Sequence, residues 1–194
     1  MVSSHADAQR LFFGVDLGDA ARRAVSILVE RLARGDHGDA VRWVQPESYH
    51  VTLRFLGETS ADRMTELIAH ARRELGACTR CELRLGALHA FPSLRRPRVM
   101  VLEVEPAESL ETLAAAAERA ATAAGFAPET RTFRPHLTLG RVRNGRRPAP
   151  VGIEACDPSP FAVDSVVLFR SEIGRGGARY HPAVRIPLQP EAHA

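Results

Sequence analysis

Apolar and polar positions along this chain change period several times, from strand-like alternation to a helical stripe and back. Arg10 to Leu17 reads as a first strand, with Asp19 as the cap of a helix running to about Ala33. A Gly/Asp-rich loop from Gly35 to Asp39 leads to a short strand at Val41-Arg42-Trp43, and Pro46-Glu47-Ser48 signals a turn. A third strand spans His50 to about Leu56 and is ended by Gly57. Ser60 caps a second helix, because Met64, Leu67, Ile68, Ala71 and Leu75 recur at helical spacing. Two strands follow, Glu82 to Phe91 and Arg98 to Val104, around the basic loop from Pro92 to Pro97.

The second half repeats this plan. Glu108 to Ala124 is an Ala-rich helix ended by Gly125. Phe133-Arg134-Pro135 enters a strand from His136 to about Val142, and Asn144 to Pro150 is an exposed Arg/Pro-rich loop. Phe161 to Arg170 and Ala178 to Leu188 are the last strands, joined by the turn Gly174 to Gly177. Interleaved helices and strands predict an α+β fold. Its simplest form is one bilobal domain over residues 1–194, with two similar lobes meeting at a central cleft.

One pattern occurs twice. His50-Val51-Thr52-Leu53 returns as His136-Leu137-Thr138-Leu139, one copy in each half. On a strand, successive side chains face opposite ways, so each copy sets His and Thr on one face and its aliphatic residues in the core. Two such strands side by side present two imidazoles and two hydroxyls to one surface. An imidazole titrates near neutral pH, so one can take a proton from water while the other gives one to a leaving oxygen. In-line displacement at phosphorus needs groups on opposite sides in this way, and the Thr hydroxyls can donate to non-bridging oxygens.

Arg141 follows the second motif, with Phe55 at the corresponding place after the first. Strict alternation points Arg141 away from His136 and Thr138, so it reaches the site only if the strand ends or twists at Gly140. On that condition Arg141 is the expected phosphate clamp. His5, His37, His70, His89 and His193 read as structural, and His181 less clearly so.

Composition narrows the chemistry. All 26 basic residues are Arg, which excludes Schiff-base chemistry, a P-loop lysine and lysyl-adenylate ligation. The formal charge of +3 permits a nucleotide or nucleic-acid partner without requiring one. Cys78 and Cys81 form a lone C-x-x-C with Cys156 far away, too few ligands for a zinc site, and read as ordinary reduced thiols. No carboxylate cluster suggests a metal, and no cofactor is expected. The start of the chain lacks signal-peptide features and no apolar run suits a membrane span, so a cytoplasmic monomer with no membrane partner is expected.

These residues resemble the two-histidine phosphoesterase superfamily, and most closely the LigT-like RNA 2′,3′-cyclic phosphodiesterases. The resemblance rests on the twin motif, with support from RLFFGVDL, YHVTLRFLGE, PRVMVLEV, RPHLTLGR and LFRSEIGRGGARYHPAVRIPL. It implies a bilobal fold with mainly antiparallel sheets lining a cleft and helices outside. It also implies metal-free hydrolysis of a 2′,3′-cyclic phosphate, at an RNA end or in a small cyclic nucleotide, to a 2′-phosphate. By that analogy His50 is the proton donor and His136 the acceptor, while Thr52, Thr138 and Arg141 hold the phosphate. The near-symmetry of the motifs leaves donor and acceptor open on the sequence itself.

Tyr180 and Phe55 are candidate contacts to base and ribose, and Arg95, Arg96, Arg98, Arg143, Arg146 and Arg147 could track an RNA backbone. Relatives are also linked to 2′–5′ RNA ligation, which without Lys would have to reverse the cyclic-phosphate chemistry without ATP. The alternatives are another cyclic phosphate at the same site, such as ADP-ribose 1″,2″-cyclic phosphate, or a nucleotide-binding module without turnover.

Overall fold

The computed structural model describes residues 8–35, 38–93, 95–146, 148, 159–174 and 177–191. Nine strands and three α-helices are formed among them, in the order β1 (Gln9–Asp16), α1 (Asp19–Arg34), β2 (Val41–Trp43), β3 (His50–Thr59), α2 (Ala61–Glu74), β4 (Cys81–Phe91), β5 (Val99–Glu105), α3 (Ala107–Ala123), β6 (His136–Val142), β7 (Phe161–Val163), β8 (Ser165–Gly174) and β9 (Gly177–Pro187). The strands form one curled sheet in the order β7-β4-β5-β6-β3-β1-β8-β9, with β2 added beside β6. Every ladder between these strands is antiparallel.

The order reads outward in the same way from the middle. β3, β1, β8 and β9 make one half, while β6, β5, β4 and β7 make the other, so each half places its His strand innermost. The halves join where β3 meets β6, and that ladder has a single registered pair, Val51 with Leu137. Pro135 precedes His136 and has no N–H to continue it. Beyond the Val51–Leu137 pair, along the same edge, β6 turns to β2 instead, where Val41, Arg42 and Trp43 pair with Val142, Arg141 and Gly140. The seam between the halves is thus held at one point and open on the Pro135 side.

The aliphatic faces of the motif strands are fully buried: Val51, Leu137 and Leu139 have no exposed surface. Helix α3 lies against β3 and β5 and packs on α2. Its close approach follows from its buried stripe of Ala116, Ala117, Ala120 and Ala121, which keeps the helix surface low. Gly125 ends α3 in the left-handed region, with Phe126 N–H donating to Ala121 O and Gly125 N–H to Thr122 O. On α2, Ser60 accepts from the Arg63 N–H as the N-cap, and Leu67, Ala71 and Leu75 are fully buried, as their spacing predicts.

Three local expectations are corrected. The N-cap of α1 is Gly18, with Asp19 already in the first turn, where its charge still favours the helix dipole. Gly57 does not end β3: it adopts a positive φ of 76° and the strand continues to Thr59, paired with Gln9. The single strand expected from Phe161 is two. Asp164 separates β7, which pairs with β4, from β8, which pairs with β1, so the chain crosses between halves there.

Candidate functional site

The two motifs meet at the seam. With Val51 opposite Leu137, the antiparallel register sets His50 beside Thr138 and Thr52 beside His136. Both imidazoles are held alike. His50 Nδ1–H donates to Ser48 O at 2.8 Å, and His136 Nδ1–H donates to Arg134 O at 2.7 Å. In each case the acceptor is the carbonyl two residues upstream, a group that can only accept. In the neutral ring this fixes the tautomer and leaves the Nε2 lone pair for the site. His50 Nε2 receives the Thr52 hydroxyl at 3.0 Å.

Arg141 reaches the same face by a backbone device. Along the β5–β6 ladder Met100 pairs with Gly140 and Val101 with Thr138, so Leu139 is an extra, unpaired residue. This bulge restarts the alternation. Leu139 and Gly140 are both buried, and Arg141 returns exposed on the side of His136 and Thr138. Gly140 is required because a Cβ there would lie 2.5 Å from Val41 Cγ1 and 3.0 Å from Arg42 O. The first motif carries the same device: Phe13 pairs with Arg54 and Gly14 with Thr52, leaving Leu53 extra. Arg54 therefore turns to the helical side, where it pairs with Glu118 and donates to Phe55 O and Ala127 O, while Phe55 faces the cleft.

The surroundings of the two histidines differ. His50 lies in an aromatic corner, with ring centroids 4.7 Å from both Phe12 and Tyr180 and 5.7 Å from Phe169. Phe12, Val167 and Phe169 form a small core on this face, with Tyr180 packed against it. Burial there pushes the His50 pKa down to about 4, against the opposing pull of the Ser48 carbonyl and the Asp16 charge. Among the described residues His136 meets one ring, Phe91, edge-on at 5.7 Å.

Each histidine also has a carboxylate at its cross-strand position. Asp16 is the registered partner of His50 on β1, and Glu103 that of His136 on β5. Asp16 is bound by Arg22 at 2.5 Å and Arg185 at 2.7 Å. Arg22 also donates to Pro46 O and to Leu17 O, tying down the turn that supplies the Ser48 carbonyl. Glu103 is paired with His89 at 2.9 Å.

A groove of about 1120 Å³ opens beside Thr52 and His136, between the end of β3, the segment before β6, and α3. The sequence profile of the 2′-5′ RNA ligase superfamily matches residues 20–175, a span that contains both motifs. This chain belongs to the 2′-5′ RNA ligase superfamily. The RNA 2′,3′-cyclic phosphodiesterase of Methanothermobacter thermautotrophicus is 30% identical over 88% of this chain and 94% of its own length. Escherichia coli LigT, solved in complex with 3′-AMP, is similar with a TM-score of 0.76 and 30% identity, over 94% of this chain and 99% of that one. TT0787 of Thermus thermophilus is similar with a TM-score of 0.77 and 26% identity, over 94% and 99%.

Within this superfamily member the remaining sequence candidates fall as follows. Tyr180 stands at the His50 ring. Arg98, Arg143 and Arg146 are exposed, as are Arg95 and Arg96 on the turn after β4, while Arg147 lies outside the described residues. His181 Nε2 lies 3.5 Å from a carboxylate oxygen of Glu172, and His70 accepts from Arg73 at 3.2 Å. His5, His37, His193 and Cys156 lie outside the described residues. Cys78 and Cys81 are free thiols pushed up in pKa by burial, which suits unreactive side chains.

Among the described residues no group of three or more His, Cys, Asp or Glu is placed to hold a metal ion, and no helix is long and apolar enough to cross a membrane. Sequence reasoning did not single out Asp16, Arg22, Glu103, Arg185 or the Phe12–Phe169 wall, which the structure gathers around the two histidines. Cross-strand register places Asp16 and Glu103, and ion pairs from α1 and β9 bring in Arg22 and Arg185; no spacing along the chain encodes either.

Proposed function

We propose that this chain hydrolyses the 2′,3′-cyclic phosphate at RNA ends, or in small cyclic nucleotides, to a 2′-phosphate. The observation that carries the reading is the identical fixing of the two imidazoles: each Nδ1–H is taken by the carbonyl two residues upstream, and each Nε2 is left for the site. The names borne by its relatives support the same reaction.

In this reading one Nε2 accepts a proton from water as the water oxygen attacks phosphorus. The P–O3′ bond breaks on the opposite side, and the other Nε2 gives its proton to O3′, leaving a 2′-phosphate and a free 3′-hydroxyl. Thr52, Thr138 and Arg141 hold the non-bridging oxygens, and Tyr180 fixes the His50 ring. The residues perform each of these roles themselves, so the reaction is proposed to run without a metal. Both motifs come from one chain, so a monomer suffices. We place it in the cytoplasm as a single bilobal domain.

The family resemblance makes His50 the donor and His136 the acceptor. A second assignment, with the roles exchanged, is favoured by the low His50 pKa, because the free protein then holds His50 as a neutral base. In the first assignment the bound phosphate must raise that pKa, as an anion beside an imidazole does.

The test is phosphorus NMR of a 2′,3′-cyclic nucleotide incubated with the protein in EDTA, in wild type and in His50→Ala and His136→Ala. Loss of at least ~10² in turnover in each variant is expected; full activity in both would defeat the reading. A p-nitrophenyl ester of a nucleoside 2′-phosphate then assigns the roles, because nitrophenolate leaves without a proton. The variant lacking the donor recovers on this substrate, and the variant lacking the acceptor does not.

A further inference from the structure

The bulges at Leu53 and Leu139 put Phe55 and Arg141 at equivalent positions of the two half-sites. One half thus ends in a cation suited to phosphate, the other in an aromatic ring. Phe55 is 53% exposed, although it meets the Phe12 ring at 5.8 Å, and it lines the groove. An exposed aromatic there costs hydration free energy that a stacked partner would recover.

The groove continues from Thr52 and His136 past Phe55, with Phe91 and Phe133 also on its walls. Its charge is uneven. Glu118 is paired with Arg54 and Glu129 with Arg131, whereas Arg98 and Arg134, which line it together with Glu111, make no ion pair among the described residues. At about 1120 Å³ it exceeds what a drug-sized ligand fills, roughly 300–1,000 Å³. Aromatic rings interleaved with free arginines along a groove are what single-stranded nucleic acid binds through stacking and backbone charge.

We infer that this groove holds the nucleotide preceding the cyclic phosphate in single-stranded RNA, its base stacked on Phe55 and its phosphate met by Arg98 and Arg134. RNA ends are then preferred over cyclic mononucleotides. The inference rests on the phosphodiesterase reading for the strand end that enters.

The experiment compares kcat/KM for a 2′,3′-cyclic mononucleotide with that for a tetranucleotide ending in the same group. A ratio of about 10 or more in favour of the tetranucleotide is expected, falling toward 1 in Phe55→Ala and in Arg98→Gln. Equal kcat/KM at both lengths, or a ratio that survives both substitutions, overturns it. Fluorescence anisotropy with a labelled tetranucleotide ending in a 3′-phosphate reads the groove independently of turnover. Binding tighter than that of 3′-AMP and lost in Phe55→Ala upholds the groove even if no hydrolysis occurs, in which case the phosphodiesterase reading alone fails. Binding no tighter than 3′-AMP, or indifferent to Phe55, overturns the groove.

Discussion

Protonation of His50 should cost this protein stability within a defined pH window. Burial against Phe12 and Tyr180 holds its pKa at about 4 in the native state, against 6.5 for the free side chain. Above pH 6.5 the ring is neutral in both folded and unfolded chains and contributes nothing. Between these values the unfolded chain binds a proton that the native one does not, so stability falls as pH drops. At pH 5 the full shift corresponds to about 2 kcal/mol, and to about 1 kcal/mol once allowance is made for solvent reaching a half-buried ring.

The assay is urea denaturation at about pH 7 and pH 5, for wild type and His50→Gln, which keeps a polar side chain but does not titrate. Wild type should lose about 1–2 kcal/mol more than the variant over that interval. The His50 Cε1–H resonance should titrate near the same low midpoint, and 3′-AMP should raise that midpoint by placing a phosphate charge beside the ring. Identical pH dependence in the two proteins, or a His50 midpoint near 6.5, would refute the reasoning, since burial would then exert no net pressure on the ring.

Three further outcomes follow from the same geometry. Gly140→Ala drives a Cβ to 2.5 Å from Val41 Cγ1. It should cost about 1–3 kcal/mol in urea denaturation and raise KM by moving Arg141. Glu118→Gln removes the charge partner of Arg54, whose side chain is 10% exposed, and should cost about 2 kcal/mol. The paired change Arg54→Met with Glu118→Leu should recover part of that loss; if it is no better than Glu118→Gln, the ion pair is not the cause. Arg141→Lys should raise KM about as much as Arg141→Gln, because an ammonium cannot reproduce the two-pronged fork. A lysine variant with wild-type KM would mean that charge alone suffices.

The alternation of His, Thr and aliphatic residues at 50–53 and 136–139 by itself determined the strands, their buried faces and the duplication, because burial of one strand face is a local, two-residue pattern. Helical spacing determined α2 from its cap at Ser60, and a run rich in Ala determined α3 as far as Gly125. Arg141 shows where such reasoning stops. Local alternation turned it away from the face of His136 and Thr138, and only the ladder with β5, which leaves Leu139 unpaired, returned it to that face. A bulge is a count of residues against a partner strand, so no single strand can reveal it.

The tertiary structure also decided which charges meet. Asp16 and Arg185 lie at opposite ends of the chain, and their pairing depends on β1 and β9 flanking β8. The low pKa of His50 belongs to the same level, since Phe12, Phe169 and Tyr180 come from three strands. So does the groove, which lies between the end of β3, the segment before β6 and α3. Desolvation, ion pairing and empty space are set by neighbours in space, and sequence distance carries no record of them.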